Sequence, residues 1–326
     1  MKKLLSLLLV SFLIAGVSIV GCRKDINVEP QAEDFTSLPT ERTCAAHDVL
    51  LKEIEADPSR AQRLDEIERF TQDFISSRTL LSTGVIQIPV VVNVLYKTSA
   101  QNISDAQIAS QITVLNNDFK ALNTDYNNTP SIFQSVRSGN FGIEFFLTGV
   151  VRKATSKTSW STNNAMKSAS QGGINPTSPT TTLNLWVCNL SNGILGYAQF
   201  PGGSSATDGV VIDDNAFGTV GTVAAPYNKG RTATHEVGHW LNLRHIWGDA
   251  TCGSDLVGDT PQHNTSNFGC PTYPHLSTCT GTPVEMTMNY MDYTDDACMY
   301  MFTQGQKSRA MAIFAVGGPR NSFAQP

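Results

Sequence analysis

Residues 235–245, HEVGHWLNLRH, hold three of the chain's six histidines. His235 and His239 are four apart, which on a helix puts both imidazoles on one face, one turn apart, able to bind one Zn2+. Glu236 is next to the first of them and can reach a metal-bound water as its base. His245 lies six residues beyond His239, out of reach of the same ion along one helix, so the chain must turn sharply near Asn242. Three nitrogen ligands leave a fourth position for water, the pattern of a catalytic zinc rather than a structural one. Three His and a Glu at these offsets are far rarer by chance than HExxH alone. That sets aside an ordinary buried helix whose histidines pair with backbone groups.

The elements that carry this helix are legible upstream. Residues 86–96 (IQIPVVVNVLY) read as a nearly continuous, β-branched buried strand. Ser104 and Gln107 are spaced as a capping box, and Ile108, Ile112, Leu115 and Phe119 line one face of the helix that follows. Residues 143–151 read as a second strand, and 183–188 as a third by alternation. Residues 194–200 and 210–212 are shorter candidates. Strand, helix, then several strands ahead of another helix predicts a mixed twisted sheet with helices in an N-terminal half. Beyond residue 250 the chain is punctuated by Cys, Gly and Pro and reads as a small irregular half, stapled rather than packed.

The N-terminus reads as an export signal. Lys2 and Lys3 precede an apolar run from Leu4 to Val20, and then comes Ile19-Val20-Gly21-Cys22 ahead of a polar stretch. That order resembles a bacterial lipobox, in which the Cys is lipidated and becomes the mature N-terminus. A plain signal peptide or an uncleaved anchor is the alternative. Either way the rest is exported, where disulfides persist. This is the one strongly apolar stretch, which excludes a polytopic membrane protein. A net charge of −5 without a basic run argues against a nucleic-acid binder. From Arg23 to Arg78 the chain concentrates 13 of its 28 acids. That segment reads as helical, with Pro58 opening a helix whose apolar face holds Leu64, Ile67 and Phe70. Residues 79–84 read as a linker.

His235-Glu236-x-x-His239-x-x-Asn242-x-x-His245 resembles the metzincin zinc signature, and Asn289-Tyr290-Met291-Asp292-Tyr293 resembles the Met-turn of that clan. With DTPQ and NYMDYTDDACMYMFT, the match points to the pappalysin (cytophagalysin-like) metalloproteases. The resemblance implies a metzincin α+β catalytic domain over 79–326, preceded by a helical propeptide at 22–78 and a signal at 1–21. It implies one catalytic Zn2+ on His235, His239 and His245, with Glu236 as general base and Met291 as the apolar floor. Tyr293 would stabilise the oxyanion, or occupy the metal when substrate is absent. Asn242 departs from the pattern, which has Gly there for a left-handed backbone. Asn is the next most tolerated residue in that region, at a cost of about 1 kcal/mol or less. A thermolysin-like protease would take a downstream Glu as third ligand, and His245 with Met291 argues against it.

Seven Cys is an odd count. Cys252, Cys270, Cys279 and Cys298 allow three pairings by sequence. The resemblance implies Cys252–Cys279 and Cys270–Cys298. Cys188, in a buried strand, reads as an inert core thiol. Cys44 remains, either a spare thiol in a tether or a latency switch whose thiolate takes the fourth zinc position. Asp255, Asp259 and Thr260 offer clustered oxygens suited to Ca2+, or form a solvated acidic turn. Asp292, Asp295 and Asp296 follow the Met-turn. The resemblance implies that the segment after the Met-turn walls the pocket for the residue just beyond the cut, where a carboxylate on Asp295 or Asp296 would favour Lys or Arg. Solvation or calcium is the alternative role. Together these predict a secreted or lipid-anchored zinc endopeptidase of protein and peptide substrates, monomeric, made as a zymogen. It would touch a membrane only through its N-terminal lipid. A catalytically silent surface-binding protein on the same scaffold is the competing reading, which an intact Glu236 argues against.

Overall fold

Strand β1 (Ile86–Tyr96) is buried along nearly all its length, as an unbroken β-branched run requires. It is flanked on both sides in a five-stranded sheet of order β2-β1-β3-β5-β4, with β2 at Ile143–Ala154, β3 at Leu183–Cys188, β4 at Gly196–Ala198 and β5 at Val210–Asp213. The pairs β1–β2, β1–β3 and β3–β5 are parallel, and β4 pairs antiparallel with β5. The mixed sheet is therefore as expected, with one antiparallel edge strand. The structure is a computed structural model that describes Pro39, residues 41–77 and residues 84–324. The expected signal segment, the lipidation residue Cys22 and residues 79–83 of the linker lie outside them. The described residues belong to one compact unit, and no helix among them is long and apolar enough to cross a membrane.

Helices α3 (Asp105–Phe119) and α4 (Arg231–Trp240) pack on one face of the sheet. The Ser104 hydroxyl caps α3 by accepting from the Gln107 N–H. The reciprocal half of the expected capping box is missing. The Gln107 amide instead reaches out to the Asp214 and Phe217 carbonyls, tying α3 to the loop after β5. The core on this face joins Val90, Val92, Val94, Leu185 and Val210 to Val237 and Trp240 of α4. At roughly 1.5–3 kcal/mol for each fully buried large apolar side chain, it fixes α4 against the sheet.

The C-terminal half has one regular helix, α5 (Gln304–Ala312), capped by a Thr303–Gln306 box. Here an expectation is corrected. Met286, Met288, Met291, Met299, Met301 and Phe302 are all buried in the same core as the sheet. The segment is packed as well as stapled, and unbranched Met side chains fill the space an irregular backbone leaves.

The segment before β1 forms two helices, α1 (Ala46–Ala56) and α2 (Ser59–Ser76), with Pro58 between them at the N-cap of α2. Ala45, Ala46 and Val49 join Trp186, Tyr197 and Val211 in a second core on the other face of the sheet. On α2, buried Arg60 donates to the Phe200 and Pro201 carbonyls, and Glu68 holds Arg309 of α5 through both carboxylate oxygens.

Candidate active site

Helix α4 is buried at every position, and it presents His235 and His239 one turn apart. It stops after Trp240, and Asn242 takes a left-handed conformation at φ 72°. The Leu243 N–H returns to the Gly238 carbonyl at 2.9 Å, and this turn carries His245 back beside the helix. Asn242 therefore does what a Gly would do there. The His239 Nε2 lies 3.1 Å from the Nε2 of His235 and 3.1 Å from that of His245.

The protons on these rings follow from their other nitrogens. His235 Nδ1 is 2.7 Å from the Tyr290 carbonyl oxygen and His239 Nδ1 is 2.8 Å from the Leu243 carbonyl oxygen. His245 Nδ1 is 2.5 Å from Asp249 Oδ1. Each acceptor can only accept, so each Nδ1 carries the hydrogen and each Nε2 is a bare lone pair. Burial also holds His235 and His239 well below the usual imidazole pKa, in the neutral, ligating form. Three bare lone pairs crowded to 3.1 Å repel one another unless a cation sits among them. A three-nitrogen set with its second nitrogens tied off fits Zn2+.

Glu236 is buried beside this cluster, and burial raises its carboxyl to about 8. Gly196 of β4 passes so close that a Cβ there would stand 2.9 Å from Glu236 Cγ. Met291 lies beneath the site, fully buried, and a Cβ on Gly238 would meet its sulfur at 2.5 Å. The helix turn between the two histidines must therefore be bare for the Met-turn to fit under it.

Cys44 enters the same cluster. Its sulfur and the histidine nitrogens lie within 4.8 Å of one another, and its thiol is 3.3 Å from Glu236 Oε2. Burial, then the Glu236 charge, pushes the thiol well up. The backbone around Cys44 adds to the sheet edge. Ala45 N–H donates to the Gly196 carbonyl, Leu195 N–H donates to the Thr43 carbonyl, and the pairing with β4 is parallel. The Tyr293 hydroxyl donates to the Cys44 carbonyl at 3.0 Å, while its ring packs against His245 and Trp247.

Two residues before Cys44, Arg42 fills a side pocket. Its guanidinium bonds Asp296 Oδ1 at 2.5 Å, the Thr232 hydroxyl at 2.9 Å and the Thr294 carbonyl at 3.1 Å, with the Tyr227 ring 5.0 Å away. The other Asp296 oxygen accepts from the Lys229 and Arg231 N–H groups. Asp295 lies nearby and half exposed, its carboxyl raised by partial burial. Asp292 is not on this pocket. Its carboxylate accepts from the backbone N–H of Asn267 and of Tyr293, bracing the loop after the Met-turn.

Both implied disulfides are present, Cys252–Cys279 and Cys270–Cys298, and Cys188 is a buried free thiol in β3. The three candidate calcium residues are divided. Thr260 bonds both Asp255 oxygens, whereas Asp259 accepts from the Thr303 hydroxyl and the Gly305 N–H at the start of α5. Sequence reasoning missed Arg42, Asp249 and Gly196. Two of these left a signal, since Arg42 is two residues from Cys44 in an extended segment and Asp249 is four beyond His245. Nothing marked Gly196, because its close approach is to Glu236 of helix α4, 40 residues further along the chain.

The family model described as Pregnancy-associated plasma protein-A (Peptidase M43) matches residues 178–315. An extracellular metalloprotease of Arthroderma otae is 32% identical over 278 residues, 82% of this chain and 88% of the relative. One of Pyricularia oryzae is 34% identical over 289 residues, 86% of this chain and 90% of the relative. Among solved structures, a mutant of Tannerella forsythia promirolysin is similar with a TM-score of 0.80 at 44% identity, over 87% of this chain and 97% of that one. Mature mirolysin in complex with a cleaved peptide is similar with a TM-score of 0.71 at 48% identity, over 74% of this chain and 96% of that one.

Proposed function

The chain belongs to the pappalysin family of metzincin zinc metalloendopeptidases, and on that premise we propose that it is made latent and cuts on the amino side of Lys and Arg. The observation that carries this reading is the path of residues 42–45. They lie along edge strand β4 with Cys44 among the histidines and Arg42 on Asp296. The pairing is parallel. A substrate added antiparallel to the same edge would run the other way, so the segment fills the cleft without offering a bond in the cleavable direction. Residues 22–78 are then the propeptide and 79–326 the catalytic domain. The greater share of this chain matched by promirolysin than by the mature form supports that division.

In the active form His235, His239 and His245 hold the zinc, with Cys44 withdrawn. Zn2+ held by these three histidines would supply Lewis acidity toward the scissile carbonyl and toward a water. Glu236 takes the proton of the attacking water and passes it to the leaving amine. Burial raises the Glu236 carboxyl while Cys44 is docked, and a cation held by the adjacent histidines would favour the carboxylate that accepts the proton. The Tyr293 hydroxyl, here donating to the Cys44 carbonyl, would donate to the oxyanion of a bound substrate.

With the substrate antiparallel to β4, the pocket that holds Arg42 receives the residue just past the cut. Asp296 then selects Lys or Arg by a charge-assisted bond, and Asp295 adds negative charge at the rim. Calcium at Asp255 and Thr260 remains part of the proposal, on the ground that a buried carboxylate and a hydroxyl 2.9 and 3.0 Å from its two oxygens are gathered there. Asp259 fits less well, since its oxygens serve α5. Export follows from the N-terminal segment and from the extracellular relatives, with Cys22 as lipid site on an outer-membrane or surface form. We take the enzyme as monomeric. Glu236→Gln tests the chemistry. It should keep one zinc per chain and lose at least ~10² in kcat. Peptide hydrolysis at the wild-type rate would remove Glu236 as the base, whereas a processed wild type that holds zinc and cleaves no peptide would revive the silent-scaffold reading.

A further inference from the structure

His245 differs from its two companions in what holds it. The Nδ1 groups of His235 and His239 donate to backbone carbonyls, which move only with the fold. His245 Nδ1 donates to a side chain, Asp249 Oδ1, at 2.5 Å. The second oxygen of that carboxylate, Oδ2, lies 3.3 Å from His47 Nδ1 on α1. We propose that Asp249 is a positioning residue for His245 whose carboxylate is shared with His47 of the propeptide, so that docking of α1 and retention of the catalytic metal are coupled. This rests on the reading of His245 as a zinc ligand and of α1 as propeptide.

The local backbone is built for that contact. Gly248 and Asp249 both have positive φ, 64° and 56°. The Gly248 N–H returns to the His245 carbonyl at 2.9 Å. The turn folds the Asp249 carboxylate back over the ring's Nδ1. Left-handed backbone in a non-Gly residue persists where its surroundings require it. The indole of Trp247 stacks on the His245 ring at 4.3 Å and 8°, which leaves rotation in the ring plane to be set by Asp249. A carboxylate behind a ligating imidazole fixes its tautomer and raises its basicity. The His47 ring nitrogen stands 3.3 Å from the other Asp249 oxygen, an ion-pair contact rather than a hydrogen bond, and in its protonated form it draws charge away from the His245 bond. His47 thus weakens the support of His245 while α1 is docked, and its departure gives the whole carboxylate to the ligand. The coupling is reciprocal: what α1 costs the metal, the metal costs α1.

The test uses the full proenzyme, with wild type, Asp249→Asn, His47→Ala and the double variant. The readouts are zinc release to a chelator and the visible d–d bands of the cobalt(II)-substituted protein. Asp249→Asn should weaken metal binding by roughly 10- to 100-fold and shift the cobalt bands, a signature that general destabilisation does not produce. His47→Ala should slow metal release severalfold while Asp249 is present and have no effect in the Asp249→Asn background. Wild-type metal affinity in Asp249→Asn overturns the positioning role. Equal effects of His47→Ala in both backgrounds overturn the coupling. Should Asp249→Asn fail to fold, unchanged metal release in His47→Ala, on a surface helix, overturns the coupling alone. A wild-type protein without stoichiometric zinc would be a different failure, that of the ligand assignment.

Discussion

Asp296→Asn isolates the selection of a basic residue from the chemistry of hydrolysis. In the structure the pocket already holds a guanidinium, and the Arg42–Asp296 pair is 2.5 Å apart with side chains only 1% and 0% exposed. Removing one partner of a buried pair costs about 3–5 kcal/mol, because the other charge stays behind unpaired. Asn keeps one oxygen for the Lys229 or Arg231 N–H, and water enters more freely once the propeptide has left. The lower end, about 3 kcal/mol, is therefore the working figure. At about 1.4 kcal/mol per factor of ten, it is a loss of roughly 10². The assay compares kcat/KM on two quenched peptides that differ only in the residue after the cut, Arg against Leu. The Arg:Leu ratio should fall by about 10² in the variant, mainly through the Arg peptide. The Thr232 hydroxyl and Thr294 carbonyl remain, so some preference for Arg persists. A ratio unchanged from wild type would refute the assignment of Asp296 as the selecting charge. A wild-type digest with mainly apolar residues after the cut would refute the basic preference itself.

Three further outcomes are expected. Cys44→Ala precursor should cleave peptides, or process itself, sooner than wild type; equal latency would leave the blockade to Arg42 and the helices. In the processed enzyme, from which Cys44 has gone, His245→Ala should lose most of its zinc, since two helical ligands hold the ion weakly; unchanged stoichiometry would place the third ligand elsewhere. Acid should loosen α2. Burial raises the Glu68 carboxyl, but its bonds to Arg309 outweigh that and hold it below its usual 4.5. A depressed folded pKa contributes stability above about 4.5 that is lost as pH falls through the folded value. The protection factors of the α2 amides, which correct exchange for its intrinsic slowing in acid, should therefore fall below about pH 4.5, and Glu68→Gln should remove much of that change.

Local chemistry made the central part of the site readable from sequence. His235, Glu236 and His239 are placed by the helical repeat, which depends on neighbours along the chain and nothing else. A sharp turn near Asn242 could be expected from the spacing of His239 and His245, and its left-handed form was what the metzincin resemblance implied. The strands at 86–96 and 183–188 were legible for the same reason: a buried parallel strand is apolar throughout. The tertiary structure alone decided what meets across long separations. It brought Arg42 to Asp296 and Cys44 to Glu236, pairs 254 and 192 residues apart. It laid residues 43–45 on β4 in the parallel sense, turned Gln107 away from its capping partner and set Asp259 on α5. It also packed the Met-rich half into the core that the spacing of its cysteines had suggested it lacked. The physical reason is that side-chain type and period specify which face of an element is buried. The partner on that face is chosen by the summed packing of the whole chain, which no local pattern records.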